Sequence, residues 1–171
     1  MMILHVLLFA VFLGAVSPSG EENLQRGVCP LFWFGYNDRC YKYVATPMTW
    51  ADAELHCLSH GANLVSMHSL DEHTFVRTLI KNFDPFERPA WIGLSDTHKE
   101  GNWMWSDGCP VKYVLWDVGQ PDNRQVENCG HINNESSKKW NDAKCTYNNP
   151  FVCASRVASC PSLPNEQGAI A

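Results

Sequence analysis

Oxygen-bearing side chains are concentrated between residues 120 and 142 of this 171-residue chain. Hard cations such as calcium bind about six to eight oxygen atoms. Five side chains and the backbone carbonyl of Asp142 would supply most of these ligands and leave room for hydroxyl groups of a bound molecule. The stretch therefore predicts a calcium site, with three carboxylates and two carboxamides as candidate ligands: Gln120, Asp122, Glu127, Asn141 and Asp142. The alternative is a site that binds calcium only to stabilise its loops, or that has lost the ion.

Patterns typical of enzymes are missing from the sequence. It contains no nucleophile elbow, glycine-rich phosphate loop or zinc-protease motif. His56 and His60 stand four residues apart on a predicted helix, but no third metal ligand lies near them, so we interpret both as ordinary histidines. We therefore expect a binding protein without catalytic activity.

Composition indicates a small exported domain. Residues 1–19 carry an apolar run and are interpreted as a signal peptide; the run is shorter than the roughly 20 residues of a membrane span. Residues 20–28 form a short segment before the domain. The net charge of −5 and the absence of a basic run argue against nucleic acid and anionic membranes as partners. We expect a secreted, extracellular protein.

All eight cysteines follow the predicted leader. An even number of cysteines in an exported chain indicates disulfides, although spacing alone leaves the pairing open. No Cys-x-x-Cys spacing occurs, which argues against a zinc ribbon.

Turn and capping signals predict an α+β domain. Aromatic residues on both sides of residues 37–39 indicate a hairpin. Thr49 and Ser69 are predicted N-caps of two helices, each with an acidic residue three positions later, and the helices should end near residues 59 and 82. From Trp91 onwards, short apolar runs alternate with turn residues, which indicates short strands and long loops.

These segments together resemble the C-type lectin domain in its long form, from about Cys29 to Cys153. The resemblance implies a lectin domain over 29–155, followed by a flexible tail over 156–171. It also implies disulfides Cys29–Cys40, Cys57–Cys153 and Cys129–Cys145. The matching motifs are Trp91-Ile92-Gly93-Leu94, the run from Gly101 to Gly108, Trp116, Gln120-Pro121-Asp122, Glu127 before Cys129, and Trp140-Asn141-Asp142 before Cys145. The tryptophans among them are interpreted as packing residues.

The resemblance implies a function for the five oxygen ligands. In this family they hold calcium and bind the sugar, and the proline of the tripeptide is cis. Members with Gln-Pro-Asp favour galactose, and those with Glu-Pro-Asn favour mannose. We therefore expect a calcium-dependent, galactose-type lectin that recognises glycans on cells or microbes. The loop 123–126 is short and lacks the tryptophan found in many galactose-binding relatives, which predicts weak binding of a single galactose.

Several alternatives stay open. The chain is also similar to type II antifreeze proteins of fish, and protein-binding toxins or ligands share the domain. Asn134 begins a glycosylation sequon near the predicted site. Cys109 and Cys160 either pair with each other or allow a disulfide-linked homodimer, in which linked copies would gain avidity.

Overall fold

The computed structural model describes residues 29–157, 159 and 160. The predicted leader, the segment 20–28 and the end of the tail lie outside this range. In chain order, the elements are β1 Phe34–Tyr36, β2 Arg39–Met48, α1 Trp50–Ser59, β3 Ala62–Leu64, α2 Leu70–Phe83, β4 Ala90–Ser95, β5 Met104–Trp105, β6 Cys129–Asn134, β7 Lys139–Ala143 and β8 Asn149–Ser155.

The strands form one sheet in the order β1-β2-β8-β4-β6-β7, with β3 paired to β8 and β5 paired to β4. All pairs are antiparallel except β4 with β8. The sheet thus brings the two ends of the domain together at β2 and β8, while β6 and β7 extend it on the other side. The predicted α+β class is confirmed.

Both predicted helix starts are confirmed by the caps. Thr49 Oγ1 accepts the backbone N–H of Asp52 at 3.3 Å, and Ser69 Oγ accepts that of Glu72 at 3.1 Å. Glu72 does not complete an ordinary capping box, because its carboxylate binds the buried Arg39 guanidinium at 2.8 Å and the N–H of His68 at 2.8 Å. Helix α2 is therefore tied to the hairpin by a buried ion pair as well as by its apolar face.

The apolar core consists of two contiguous clusters. One lies between α2 and the sheet and includes Val76, Ile80 and Trp140; the other lies beneath α1 and includes Leu64 and Phe151. Trp91, Trp105 and Trp140 are almost completely buried, and Trp103 packs edge-on against Trp116 with ring centroids 4.7 Å apart. The interpretation of these tryptophans as packing residues is confirmed.

The three disulfides implied by the resemblance are present: Cys29–Cys40, Cys57–Cys153 and Cys129–Cys145. Cys109 and Cys160 pair with each other, so the fourth disulfide joins the tail to the domain. Neither thiol is left for a link between chains in this fold, which argues against the disulfide-linked homodimer through Cys109 or Cys160. Neither helix in the described part of the chain has the length and apolar character to cross a bilayer.

Strands β6 and β7 are not among the strands that the sequence analysis identified. The sequence of β6, Cys129–Asn134, is mostly polar or small, yet nearly all of it is buried. Gly130 allows β6 to lie close to β4, since a Cβ there would be 3.1 Å from the Cβ of Leu94. Polar side chains buried by neighbouring strands do not show the alternating apolar pattern from which strands are predicted.

His73 provides a pH-dependent contribution to stability. Its imidazole is buried beside Trp140, and this burial, with the charge of Arg77, lowers its pKa from 6.5 to about 4. The unfolded chain therefore binds a proton between pH 6.5 and 4 that the folded chain excludes, so stability falls as the pH falls through this window.

We expect His73→Asn to reduce this loss by up to about 3 kcal/mol, since the substitution removes the imidazole. Urea unfolding at about pH 7 and about pH 4 measures the difference. The exposed His98→Asn is the matched control and should behave like the parent. An equal loss in His73→Asn and the parent would contradict the assignment.

Candidate metal centre

The hairpin of β6 and β7 carries two of the predicted ligands, Asn141 and Asp142. The register pairs Asn141 with His131 and Asp142 with Gly130, and the disulfide Cys129–Cys145 closes the hairpin. Asn141 is half-buried, whereas Asp142 is completely buried. One strand thus places one ligand at the surface and the next beneath it.

The long loop before β6 is attached to β7 by backbone hydrogen bonds. Trp140 donates its N–H to Leu115 at 2.9 Å and accepts from Asp117 at 2.8 Å, and Gln120 then donates to Asp117 at 3.0 Å. The Gln120–Pro121 peptide is cis, as the resemblance implied. The tripeptide therefore begins three residues after a point where the loop is held against the sheet.

Asp142 holds the next part of the loop. Its two carboxylate oxygens accept the backbone N–H groups of Asp122 at 3.2 Å and Asn123 at 2.7 Å. A buried carboxylate is costly unless its oxygens are hydrogen-bonded or paired with a cation. These bonds place the Asp122 side chain next to Asp142 although the two residues are far apart in sequence.

Three carboxylates meet at this point. Oxygens of Asp122, Glu127 and Asp142 lie within 4.8 Å of one another. Burial, followed by the charges of Asp142 and Asp122, raises the pKa of Glu127 above its usual range. Three negative charges at this spacing repel one another, and a divalent cation among them would remove the repulsion.

The two carboxamides complete the set. Gln120 Nε2 donates to Asp122 Oδ2 at 3.3 Å, and its buried Oε1 has no hydrogen-bond partner among the described residues. The amide group of Asn141 lies against the backbone carbonyl of Asp142. Gln120 thus lies beside Asp122 and Asn141 beside the Asp142 carbonyl, and an unpaired amide oxygen next to the carboxylates fits a hard cation.

His131 orients Asn141, and the sequence analysis missed this residue. Burial lowers the pKa of His131, so its ring is neutral; Nδ1 donates to the carbonyl of Ile132 and Nε2 is left to accept from Asn141 Nδ2 at 3.2 Å. The Asn141 oxygen is consequently free for another partner. No sequence signal indicated this role, because the contact depends on the pairing of β6 with β7.

Asn123 is the second residue that sequence reasoning missed. Its Oδ1 accepts the N–H of Glu127 at 2.8 Å, which closes the loop around the carboxylates. Arg124 also binds Asp122, at 3.0 Å, but its side chain is 82% exposed. An Asn directly after the tripeptide is a turn signal, and it could have been noticed as such.

Other candidate residues lie apart from this cluster. The rings of His56 and His60 are tilted against each other with centroids 4.8 Å apart, and the described residues supply no third ligand. His68, Asp107 and Cys109 also meet, but the sulfur of Cys109 belongs to a disulfide.

The sequon residue Asn134 lies at the end of β6. It is half-buried, and its Nδ2 donates to Asp117 Oδ2 at 2.8 Å. Glycosylation of Asn134 stays a prediction.

Several known proteins are similar to this chain in sequence. The sequence model of the lectin C-type domain matches residues 46–155. The chain is 42% identical over 147 residues to a lactose-binding lectin of Anguilla japonica, covering 83% of this chain and 87% of that protein. It is 38% identical over 156 residues to the galactose-specific lectin nattectin of Thalassophryne nattereri, covering 90% and 97% respectively.

Among solved structures, the fold is similar to a Ca2+-dependent type II antifreeze protein in its Ca2+-free form. The TM-score is 0.70 at 34% identity, over 74% of this chain and 99% of that one. Proteins described as lectins are therefore similar to this chain in sequence, and one described as an antifreeze protein is similar in fold.

Replacing Glu127 by Gln tests the carboxylate cluster. The change removes one negative charge and keeps the size of the side chain. Because the pKa of Glu127 is raised, its ionisation destabilises the folded state at neutral pH, and this effect disappears in acid as the group is protonated. In calcium-free buffer we expect Glu127→Gln to be more stable than the parent by up to about 1 kcal/mol near pH 7, and equal to it in acid.

Urea unfolding with a chelator measures this difference. The exposed Glu135→Gln is the control for loss of one charge and should change little. A variant less stable than the parent at neutral pH would show that the Glu127 carboxylate supports the ion-free loop.

Proposed function

We propose that this chain, which belongs to the C-type lectin domain family, is a secreted, calcium-dependent lectin for galactose-containing glycans. The relatives described above are lectins and antifreeze proteins rather than enzymes. The observation that carries the proposal is the meeting of Asp122, Glu127 and Asp142 within 4.8 Å beside the unpaired oxygen of Gln120. The wider family includes calcium-independent members, so the ligand set of this chain carries the calcium argument.

Gln120, Asp122, Glu127, Asn141 and Asp142 would hold the ion, which when bound supplies coordination positions for sugar hydroxyls. The same side chains serve the sugar directly. A carboxylate accepts a hydrogen bond from a hydroxyl, and the N–H of a carboxamide donates one to the hydroxyl oxygen. The positions of acid and amide in the set therefore decide which pairs of hydroxyls fit.

Galactose specificity is supported by the order of the tripeptide and by two relatives. Gln120 and Asp122 have the galactose order that the family resemblance implies. A relative described as lactose-binding and one described as galactose-specific are 42% and 38% identical to this chain. Both observations point to a glycan with terminal galactose, on a cell or a microbe.

The loop beside the site predicts weak affinity for one sugar. Arg124 and Val126 are strongly exposed, and the segment 123–126 contains no aromatic ring to stack on the sugar face. Binding strength would then depend on several sugars engaging several sites, since linked sites raise overall avidity.

Ice binding is the second candidate. It is favoured by the similarity to a type II antifreeze protein and by the exposed apolar side chains of Val118 and Val126, which flank the candidate ligands and are 92% and 73% exposed. Ice binding would be detected as thermal hysteresis without retention on any sugar.

Chromatography on immobilised lactose, galactose and mannose tests the lectin proposal. We expect retention on lactose and galactose with calcium, and elution by a chelator. In the double variant Gln120→Glu, Asp122→Asn, the acid and amide exchange positions, and we expect preference to shift towards mannose by at least about tenfold.

The control exchanges an acid and an amide elsewhere on the surface, in Asp38→Asn, Asn148→Asp. It should keep the galactose preference of the parent. Retention on galactose that survives the chelator would contradict the calcium mechanism, and no retention on any sugar would contradict the lectin proposal.

A further inference from the structure

A cavity lies between helix α2 and the residues that precede and begin β7. Its volume is about 420 Å3. None of the five candidate calcium ligands lines it. We call it the α2 groove; the lining residues that matter here are His73, Thr74, Arg77, Thr78 and Lys81 on α2, together with Glu87 and Lys139.

The α2 groove carries excess positive charge in a chain of net charge −5. Arg77 Nε binds Glu87 Oε1 at 2.7 Å, which neutralises the one carboxylate of the lining and leaves the terminal nitrogens of the guanidinium available. Lys81 and Lys139 have no ion-pair partner within 4 Å in the part of the chain that the structure describes.

The neighbouring acid groups do not cancel this charge. The charge of Asp117 acts on Lys139, so Asp117 counts with Glu87 against the cations, and its Oδ2 also accepts hydrogen bonds from Asn134 at 2.8 Å and Ser137 at 2.6 Å. Lys138 adds a further cation beside the groove, with Nζ 3.4 Å from the carbonyl of Glu87. The α2 groove is therefore suited to an anionic group.

His73 places a hydrogen-bond donor in the wall of the groove. The residue is only 6% exposed, and its Nδ1 accepts the indole N–H of Trp140 at 3.1 Å. The proton of the neutral ring must then be on Nε2. No described residue accepts from Nε2, so its N–H is left for a ligand in the cavity that His73 lines.

The threonines of the groove offer acceptors. Thr74 Oγ1 donates to the carbonyl of Leu70 at 2.9 Å, and Thr78 Oγ1 donates to that of Thr74 at 2.8 Å. Each hydroxyl has thus used its only proton, and its oxygen can accept from a ligand hydroxyl. A ligand that matches the groove needs both an oxyanion and hydroxyl groups.

We propose that the α2 groove binds a sulfated saccharide, with a sulfate group held by Lys81, Lys139 and Arg77 and hydroxyls held by the threonines. The ligand is a compact sugar rather than a nucleic acid. A cavity of about 420 Å3 holds only a few sugar rings, and the net charge of −5 repels a long polyanion outside the groove.

The groove is close to the candidate calcium centre but separate from it. Lys139 precedes Asn141 by two residues on β7, so the two side chains lie on the same face of the strand, about 7 Å apart along it. Because no candidate calcium ligand lines the groove, binding there should persist when calcium is removed, which allows the two sites to be tested separately.

Titration calorimetry of the full chain with a short heparin oligosaccharide, in the presence of a chelator, tests the proposal. We expect binding that weakens as sodium chloride is raised, because salt screens the ammonium–sulfate attraction. The desulfated oligosaccharide should bind at least about tenfold more weakly, and so should the sulfated one to the variant Lys81→Gln, Lys139→Gln.

The control Lys99→Gln, Lys112→Gln removes the same charge from exposed positions elsewhere and should bind within about twofold of the parent. Equal affinity of the desulfated oligosaccharide, unchanged affinity in Lys81→Gln, Lys139→Gln, or a comparable loss in the control pair would each overturn the proposal. Equally tight binding of a short DNA duplex would overturn the assignment to saccharides. Failure of lactose binding with calcium would leave this result unaffected.

Discussion

A completely buried carboxylate, that of Asp142, determines the shape of the candidate calcium centre. Its oxygens are satisfied by the backbone N–H groups of Asp122 and Asn123, and a loop in any other position would leave the charge buried without partners. The same loop then sets the positions of Glu127 and Gln120, because Asn123 holds the backbone of Glu127 and Gln120 donates to Asp122. The carboxylates thus hold the loop close to the sheet and repel one another, and a cation relieves that repulsion.

Strand β7 connects this centre to the rest of the domain through Trp140. The indole packs edge-on against Trp105, Tyr113 and Trp116, while its N–H binds His73 on α2. The backbone of Trp140 holds the long loop on one edge of the strand. A single buried residue therefore fixes the loop of the candidate calcium centre and the histidine of the α2 groove, which makes β7 the common support of both proposed sites.

Much of the fold follows from short-range signals. The caps Thr49 and Ser69 were predicted because a helix N-terminus needs a side-chain acceptor within three residues, and the structure shows those bonds. Strands β6 and β7 were not identified, because their residues are buried by neighbouring strands rather than by an alternating apolar face. The pairing of Cys109 with Cys160 was left open because only the folded chain brings the two residues to a Cα distance of 5.4 Å.

For the sites, the sequence by itself determined the chemical types: five oxygen ligands in the order of a galactose-type lectin, with a proline and cysteines among them. These are properties of residues near one another in the chain. The tertiary structure decided which other residues support these ligands and which residues form the second proposed site. His131 orients Asn141 across a strand pair, Asn123 closes the loop, and His73 and Lys139 line the same groove. Each of these arrangements depends on backbone segments distant in sequence being held within hydrogen-bond or charge range, and that distance is set only when the core around Trp140 packs.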